Sequence, residues 1–124
     1  MKIAHFERDY AGRYSSAIKF AQVQAAKRER ARRQLYLPSD LFAEPAWDIL
    51  LELYAFELVS RLVSESELAE RIDAPGTTTA RWMKLLEAED LIARRVDPDH
   101  FREVRISLTP KGLTALGGYF SDVG

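Results

Sequence analysis

The chain has 124 residues, of which 47% are hydrophobic and 30% are charged, with a formal net charge of −1 and no cysteine. This length suits a single domain with one hydrophobic core. The missing cysteines exclude disulfides, thiol nucleophiles and cysteine-ligated metals. The two histidines, His5 and His100, lie too far apart in sequence to predict a metal site or a catalytic triad. No apolar run approaches the ~18–20 residues of a membrane span, and we expect a cytoplasmic protein.

Charge is distributed unevenly along the chain. Residues 1–36 carry nine Lys or Arg against three acidic residues, a net charge of +6, whereas the rest of the chain carries a net charge of −7. Such asymmetry indicates either an arm that meets an anion or a solubilising helix, and both interpretations stay open. We therefore divide the chain into an N-terminal basic helix, residues 1–37, and a second unit, residues 38–124.

The first predicted helix runs from Ser15 or Ser16 to about Leu35, where Pro38 follows and stops it. One face is apolar and is predicted to form an interface with a second copy of the chain. That dimer face consists of Ile18, Phe20, Ala21 and Ala25. Further along, basic residues point all round the helix, so we expect them to project into solvent or towards a partner. They are Lys27, Arg28, Arg30, Arg32 and Arg33.

A second predicted helix begins near Pro45, which fits a first helical turn because it needs no N–H there. Its apolar side chains cover most of the circumference, which is typical of a buried helix. One stripe consists of Trp47, Leu50, Leu51, Tyr54 and Leu58, and another of Ile49, Leu53 and Phe56. We expect this helix to be the centre of the core.

Two short helices joined by a tight, glycine-containing turn follow, which is typical of a helix-turn-helix. Ser64 is predicted to cap the first helix, with Glu67 reaching back to complete a capping box. Residues 73–76 break that helix, and the second runs from Thr77 to about Glu89. Its inward face is predicted to contain Trp82, Met83 and Leu86.

The C-terminal part of the chain predicts a hairpin and a last helix. Residues 91–96 and 103–108 read as strands joined by a loop over residues 97–102, and the second strand alternates apolar and polar side chains. Thr109 is predicted to cap the last helix. The pair Gly117-Gly118 is expected to weaken it.

Four segments of the sequence, in this order, carry a family resemblance. They are Trp47-Asp48-Ile49-Leu50-Leu51, Ser66-Glu67-Leu68-Ala69-Glu70-Arg71, Leu86-Glu87-Ala88-Glu89-Asp90-Leu91-Ile92 and Ser107-Leu108-Thr109-Pro110-Lys111-Gly112. Over about residues 40–115 the chain resembles winged-helix regulators of the MarR (multiple antibiotic resistance regulator) type. The resemblance implies a mainly α fold, a winged helix-turn-helix with a two-stranded β-wing. It also implies a homodimer that binds double-stranded DNA at a palindromic operator. Many such relatives are repressors that a small-molecule effector releases from the operator.

The sequence departs from the family pattern in two places. Relatives continue into long C-terminal helices that build the dimer, whereas this sequence ends at Gly124, so we expect the first helix to hold the dimer. In the wing, Asp99-His100-Phe101-Arg102 stands where the family often has Asp-Arg-Arg, so one arginine is missing.

Ten residues are predicted to contact DNA: Ser66, Gly76, Thr77, Thr78, Arg81, Lys84, Arg94, Arg95, Arg102 and Arg105. Arg81 is predicted to read a base, because a guanidinium can make a bidentate contact to guanine. Arg94 and Arg95 point to opposite faces of a strand, so at most one faces DNA. Arg102 either reaches a phosphate or pairs with Asp97 or Asp99.

The remaining expectations concern single aromatic residues and the class of function. Phe101 is expected to pack beneath the wing rather than wedge against DNA, Trp82 to belong to the core, and His100 to be exposed. We expect no enzymatic activity, cofactor or metal. The favoured function is a sequence-specific transcription regulator. The alternative is a winged-helix module that has lost DNA binding and docks a protein partner. The net charge of −7 over residues 37–124 and the altered wing favour this alternative, and the fold alone does not exclude it.

Overall fold

The computed structural model describes residues 16–32 and 45–123. The first helix, α1, covers residues 16–32 and thus begins at Ser16, one of the two predicted starting residues. Ser15, the predicted end near Leu35, Arg33 and Pro38 lie outside the described residues. The elements that follow are α2 (Ala46–Leu58), β1 (Val63–Ser64), α3 (Glu65–Arg71), α4 (Gly76–Ala88), β2 (Ile92–Asp97), β3 (Glu103–Leu108) and α5 (Pro110–Val123). This order is that of a winged helix-turn-helix, as predicted.

The helix α2 is the centre of the core, as its apolar circumference predicted. Its residues 51–56 are all buried, and Ile49 and Leu51 are completely enclosed. Glu52 lies within this buried stretch, and its Oε1 is 2.8 Å from Lys27 Nζ of α1. A buried carboxylate needs such a partner, because taking an unpaired charge out of water is costly.

Ion pairs between α1 and α2 correct the prediction for the basic turn. A second ion pair joins Arg30 to Asp48, and both carboxylate oxygens of Asp48 contact the guanidinium. Arg30 Nη2 lies 3.2 Å from Asp48 Oδ2. Lys27 and Arg30 therefore lie against the core instead of projecting from it, because Asp48 and Glu52 present their carboxylates one helical turn apart. Arg28 and Arg32 are exposed, as predicted.

The N-terminus of α3 is capped as predicted, although its capping box is incomplete. The Glu67 N–H donates to Ser64 Oγ at 3.1 Å. The Glu67 carboxylate does not reach back, because two guanidiniums attract it: Oε1 lies 2.5 Å from Arg61 Nη2 and 3.7 Å from Arg71 Nη2. Both guanidiniums also lie 5.0 Å from the centroid of the buried Phe56 ring, close enough for a cation–π contact.

The predicted hairpin belongs to a three-stranded antiparallel sheet in the order β1-β3-β2. Ile92 pairs with Leu108 at the base of the hairpin, and Val63 of β1 pairs with Ile106 on the other side of β3. The sequence analysis missed β1, since two residues are too few to show a strand period. The buried side chains of these four residues place the sheet over α2.

The start of α5 is hydrogen-bonded to the segment that links α4 to β2. As predicted, Thr109 caps α5, since its Oγ1 accepts from the Gly112 N–H at 3.0 Å while its hydroxyl donates to the Asp90 carbonyl at 2.6 Å. A Cβ on Gly112 would lie 2.3 Å from the Leu91 carbonyl oxygen. The glycine is therefore required by a close approach of two backbones.

The helix α5 continues through Gly117-Gly118 and reaches Val123, so the expected weakening does not end it. Its aromatic contacts explain this persistence. The Phe120 ring is buried and stacks on Tyr54 with centroids 5.8 Å apart, and it also packs beside Trp47 at 6.4 Å. Such burial contributes more than the lower helix propensity of two glycines removes.

Candidate nucleic-acid interface

The helix α4 presents the predicted recognition surface. Met83 and Leu86 are buried against the core, as is Thr79. On the opposite side Thr77, Arg81 and Lys84 are exposed, at the i, i+4 and i+7 positions that share one helix face. Thr78, next to this face, is half-buried. Trp82 packs partly buried against the core, as predicted.

The N-terminus of α4 is open. The preceding residue, Pro75, supplies no side-chain cap, and the first turn contains no acidic residue. The Thr79 N–H donates to the Pro75 carbonyl at 3.0 Å, which leaves the N–H groups of residues 76–78 as the unpaired donors of the first turn. These donors and the helix dipole make the end of α4 attractive to a phosphate.

Gly76 is the first residue of α4 and does not form the turn, which corrects the predicted glycine turn. The link between α3 and α4 is made by residues 72–75. A Cβ on Gly76 would meet nothing within 4 Å, and no described glycine has a positive φ. Folding therefore does not require glycine at position 76. The absence of a side chain there leaves the exposed backbone at the start of α4 accessible.

A cleft of about 360 Å³ lies between α3, α4 and β3. Ser66 of α3, Gly76 and Ala80 of α4, and Glu103 and Val104 of β3 are among its lining residues. Ser66 is exposed, and its hydroxyl lies 3.2 Å from Ser64 Oγ. The N-terminal half of α4 and the wing therefore border the same concave surface.

The arginines of the wing are separated by the strand register. Arg94 lies opposite Ile106 on the core side, and Arg95 lies opposite Arg105 on the other face. The Arg94 guanidinium contacts Glu65 Oε1 at 3.1 Å and Glu87 Oε1 at 3.5 Å. Arg94 thus links β2 to both helices of the helix-turn-helix, while Arg95 stays exposed.

Asp97 organises the loop of the wing. Its Oδ1 accepts from the Asp99 N–H at 3.0 Å, and its Oδ2 lies 2.9 Å from His100 Nδ1 and 3.4 Å from Arg105 Nε. The Asp99 N–H is the main cause of a lowered pKa of Asp97, to which His100 and Arg105 add. Arg105 is thereby half-buried and held by Asp97 and Glu103.

Arg102 takes neither of the pairings that the sequence offered. It is exposed, and within the described part of the chain no carboxylate pairs with it. His100 is also exposed, as predicted. The phosphate contact predicted for Arg102 therefore stays a prediction.

Phe101 was predicted to pack beneath the wing, and that prediction is wrong. It is fully exposed to solvent. The backbone explains this, since Phe101 and Arg102 have φ values of 55° and 58°, and the Glu103 N–H donates to the His100 carbonyl at 3.0 Å. Two consecutive left-handed residues make a tight hairpin turn of the type that usually contains Asn-Gly. Each non-glycine residue costs about 1–2 kcal/mol there.

The predicted dimer face of α1 is only partly available. Ile18 is 43% exposed, and Ala21 and Ala25 are exposed as well. Phe20 differs from the prediction, because it packs partly buried against the core. The sequence analysis missed Val23, which is completely buried. Residues 20, 23, 27 and 30 form the stripe that faces α2, and this helical spacing was the signal that could have identified Val23.

No protein-family profile and no curated protein matches the chain, whereas several solved structures share its fold. AF1382 from Archaeoglobus fulgidus has a TM-score of 0.55 and 22% identity over 74% of this chain and 92% of its own. MepR of Staphylococcus aureus in complex with DNA has a TM-score of 0.55 and 23% identity over 84% and 80%. ZitR of Lactococcus lactis has a TM-score of 0.52 and 16% identity over 81% and 72%.

These similarities confirm the winged-helix fold that the family resemblance implied. MepR is a transcription regulator of the multidrug efflux pump MepA, and another of its structures contains ethidium bromide. In residues 16–32 and 45–123 of the present chain, no helix is long and apolar enough to cross a membrane. The same residues contain no group of three His, Asp or Glu that could hold a metal ion.

Proposed function

We propose that the chain is a sequence-specific DNA-binding transcription regulator and not an enzyme. The observation that carries this proposal is the exposed face of α4, where Thr77, Arg81 and Lys84 stand beside an uncapped helix start. Small threonine side chains let the helix enter the major groove, and the Arg81 guanidinium can donate two hydrogen bonds to a guanine. The DNA complex of the structurally similar MepR supports the same use of the fold.

The proposal includes a homodimer that binds a palindromic operator. The face of α1 formed by Ile18, Ala21 and Ala25 is apolar and exposed, and the described part of the same chain does not cover it. A two-fold axis through this face would present two copies of α4 to related half-sites. Arg28 and Arg32 continue the same side of the helix and add attraction for phosphate.

Selection of bound fragments from random duplex DNA tests this function. The purified chain should enrich a two-fold symmetric sequence, and Arg81→Ala should fail to enrich it. The matched variant Lys111→Ala removes a cation outside the proposed interface, where Nζ donates to the Glu89 carbonyl, and it should enrich the wild-type sequence. Enrichment of no sequence by the intact chain would contradict the proposal.

A small-molecule effector is a further part of the proposal. An open cleft of about 320 Å³ lies between α1, α2 and the end of α3, and Lys27, Arg30, Asp48 and Glu52 line it. Its volume is that of a small ligand site. A ligand that separates the ion pairs of α1 and α2 would shift the dimer face. Ethidium is a suitable first probe, because a structure of MepR contains it. It is titrated against the chain without DNA, since ethidium also intercalates into duplexes, and binding that Asp48→Asn weakens supports this part, whereas no binding contradicts it.

The alternative is a protein-interaction module without DNA binding. Leu62 and Val59 favour it, because their apolar side chains are 69% and 50% exposed at the end of α2. The two functions differ in a single test. A module of this kind would show no preference for any duplex, and Leu62→Asp rather than Arg81→Ala would abolish its binding to a protein partner.

A further inference from the structure

We propose that Phe101 inserts into the DNA minor groove as an apolar wedge that unstacks one base step. The inference rests on the proposed function and adds a DNA-distorting residue at the tip of the wing. Aromatic and aliphatic side chains can enter the minor groove and partly unstack a step, and the bent duplex then contacts more protein surface.

The first observation is the position of Phe101. The residue is fully exposed, so the described part of the chain contributes nothing to burying its ring. Covering a fully hydrated phenyl ring with a surface outside the domain would be favourable, because apolar area would leave water. The described residues contain other exposed apolar side chains, but Leu62, the most exposed of them, is 69% exposed.

The second observation is the backbone that holds the ring outwards. Phe101 and Arg102 are left-handed at φ 55° and 58°, where Asn-Gly would be favoured. Strained residues of this kind persist where the surrounding structure fixes them, and they are common at binding sites. Asp97 fixes the conformation of this turn, because its carboxylate contacts the Asp99 N–H, His100 and Arg105 simultaneously.

The third observation is the chemistry around the ring, which favours duplex DNA as the occupant. Arg102 directly follows Phe101, is exposed, and has no carboxylate partner among the described residues. Arg105 and His100 engage the carboxylate of Asp97, and Arg105 also contacts Glu103 at 3.5 Å. The tip therefore combines an apolar ring with an available guanidinium, and the wing borders the same cleft as α4.

The negative charge of Asp99 opposes the approach of DNA to the wing, so its removal should increase the affinity for DNA. It is exposed two residues before Phe101, and none of the described cations pairs with its carboxylate. Its charge should repel the phosphates that flank the groove. Asp99→Asn should therefore bind the selected duplex more tightly than wild type, whereas a wing that stays away from DNA predicts no change.

The experiment uses the intact chain and the duplex obtained by selection, with the fluorescent base 2-aminopurine placed at each adenine in turn. Wild type should raise the fluorescence at one step of each half-site, because unstacking removes quenching. Phe101→Ala should abolish the rise and weaken binding roughly tenfold, in the range known for loss of one base–aromatic stack. Phe101→Trp should preserve both, and neither variant should alter the salt dependence.

The control separates the wedge from the turn. Phe101→Asn keeps Arg102 and should raise the unfolding temperature, because asparagine tolerates the left-handed conformation better than phenylalanine, and it should remove the fluorescence rise. Wild-type affinity for Phe101→Ala, or no rise at any step, would overturn the wedge while leaving specific DNA binding intact. If the wild-type chain prefers no duplex, the proposed function fails, and the wedge fails with it.

Discussion

At Gly112 the backbone of α5 approaches the Leu91 carbonyl so closely that a Cβ would lie 2.3 Å from the oxygen. Because the obstacle is backbone, Gly112→Ala must move α5 or the segment that links α4 to β2. We expect a loss of about 1–3 kcal/mol in the free energy of unfolding, the usual range for overpacking. Urea denaturation followed by circular dichroism measures it.

The matched control is Gly118→Ala on the same helix, where an added Cβ meets nothing within 4 Å. That variant should be more stable than wild type by up to about 1 kcal/mol, because alanine has the higher helix propensity. Equal denaturation midpoints for the two variants would contradict the assigned role of Gly112.

Asp97 makes the order of the wing depend on pH. The folded state lowers the pKa of its carboxyl, chiefly through the Asp99 N–H. The stabilisation is therefore complete above the pKa of the unfolded chain, about 3.9 for an ordinary aspartate. It is lost as the pH falls through the lower folded value. Carbon NMR of the carboxyl should show this titration, and an unshifted pKa would contradict the network.

At the scale of elements, the docking of α1 on α2 depends on two ion pairs. A double-mutant cycle of Arg30→Ala and Asp48→Ala should give a coupling energy of about 1 kcal/mol, because this contact is bidentate and partly buried. The Glu87 and Arg94 pair at 3.5 Å is the control, because both residues are exposed. It should couple by about 0.3 kcal/mol, since exposed ion pairs contribute little. Equal coupling energies would show that the α1 contact is no stronger than a surface pair.

The predictability of the elements follows from their length and their neighbours. Periodicity predicted α2 and α4 with small errors at the ends, because each has at least three turns and one buried side. The two-residue β1 left no period to detect. Lys27 and Arg30 could not be assigned from α1 alone, since their partners lie on α2.

The candidate site was predictable to a different degree in each of its parts. The exposed face of α4 followed from helical spacing alone. The sequence could not give the orientation of Phe101, because two non-glycine residues in left-handed conformation contradict local preference. Likewise, nothing local to β2 indicated that Arg94 would be held by carboxylates from α3 and α4.

For the whole molecule, the proposal requires association through α1. Ile18→Asp places a charge in the exposed apolar face and should convert a dimer into a monomer, since an unpaired charge is costly in an interface. Leu62→Asp is the control, because it puts the same charge on an exposed apolar residue outside that face. Light scattering at micromolar concentration distinguishes the two states. A monomeric wild type, or an Ile18→Asp dimer, would contradict this interface.

Sequence-specific recognition by Arg81 is the central claim, and a binding titration tests it most directly. Wild type, Arg81→Ala and Arg81→Lys are titrated with the selected duplex and with a scrambled duplex at several salt concentrations. Arg81→Ala should lose ~1–3 kcal/mol on the selected duplex and much less on the scrambled one. Arg81→Lys should retain the salt dependence but lose the preference, because an ammonium lacks the bidentate fork. Equal affinity of the wild-type chain for both duplexes at every salt concentration would contradict the account.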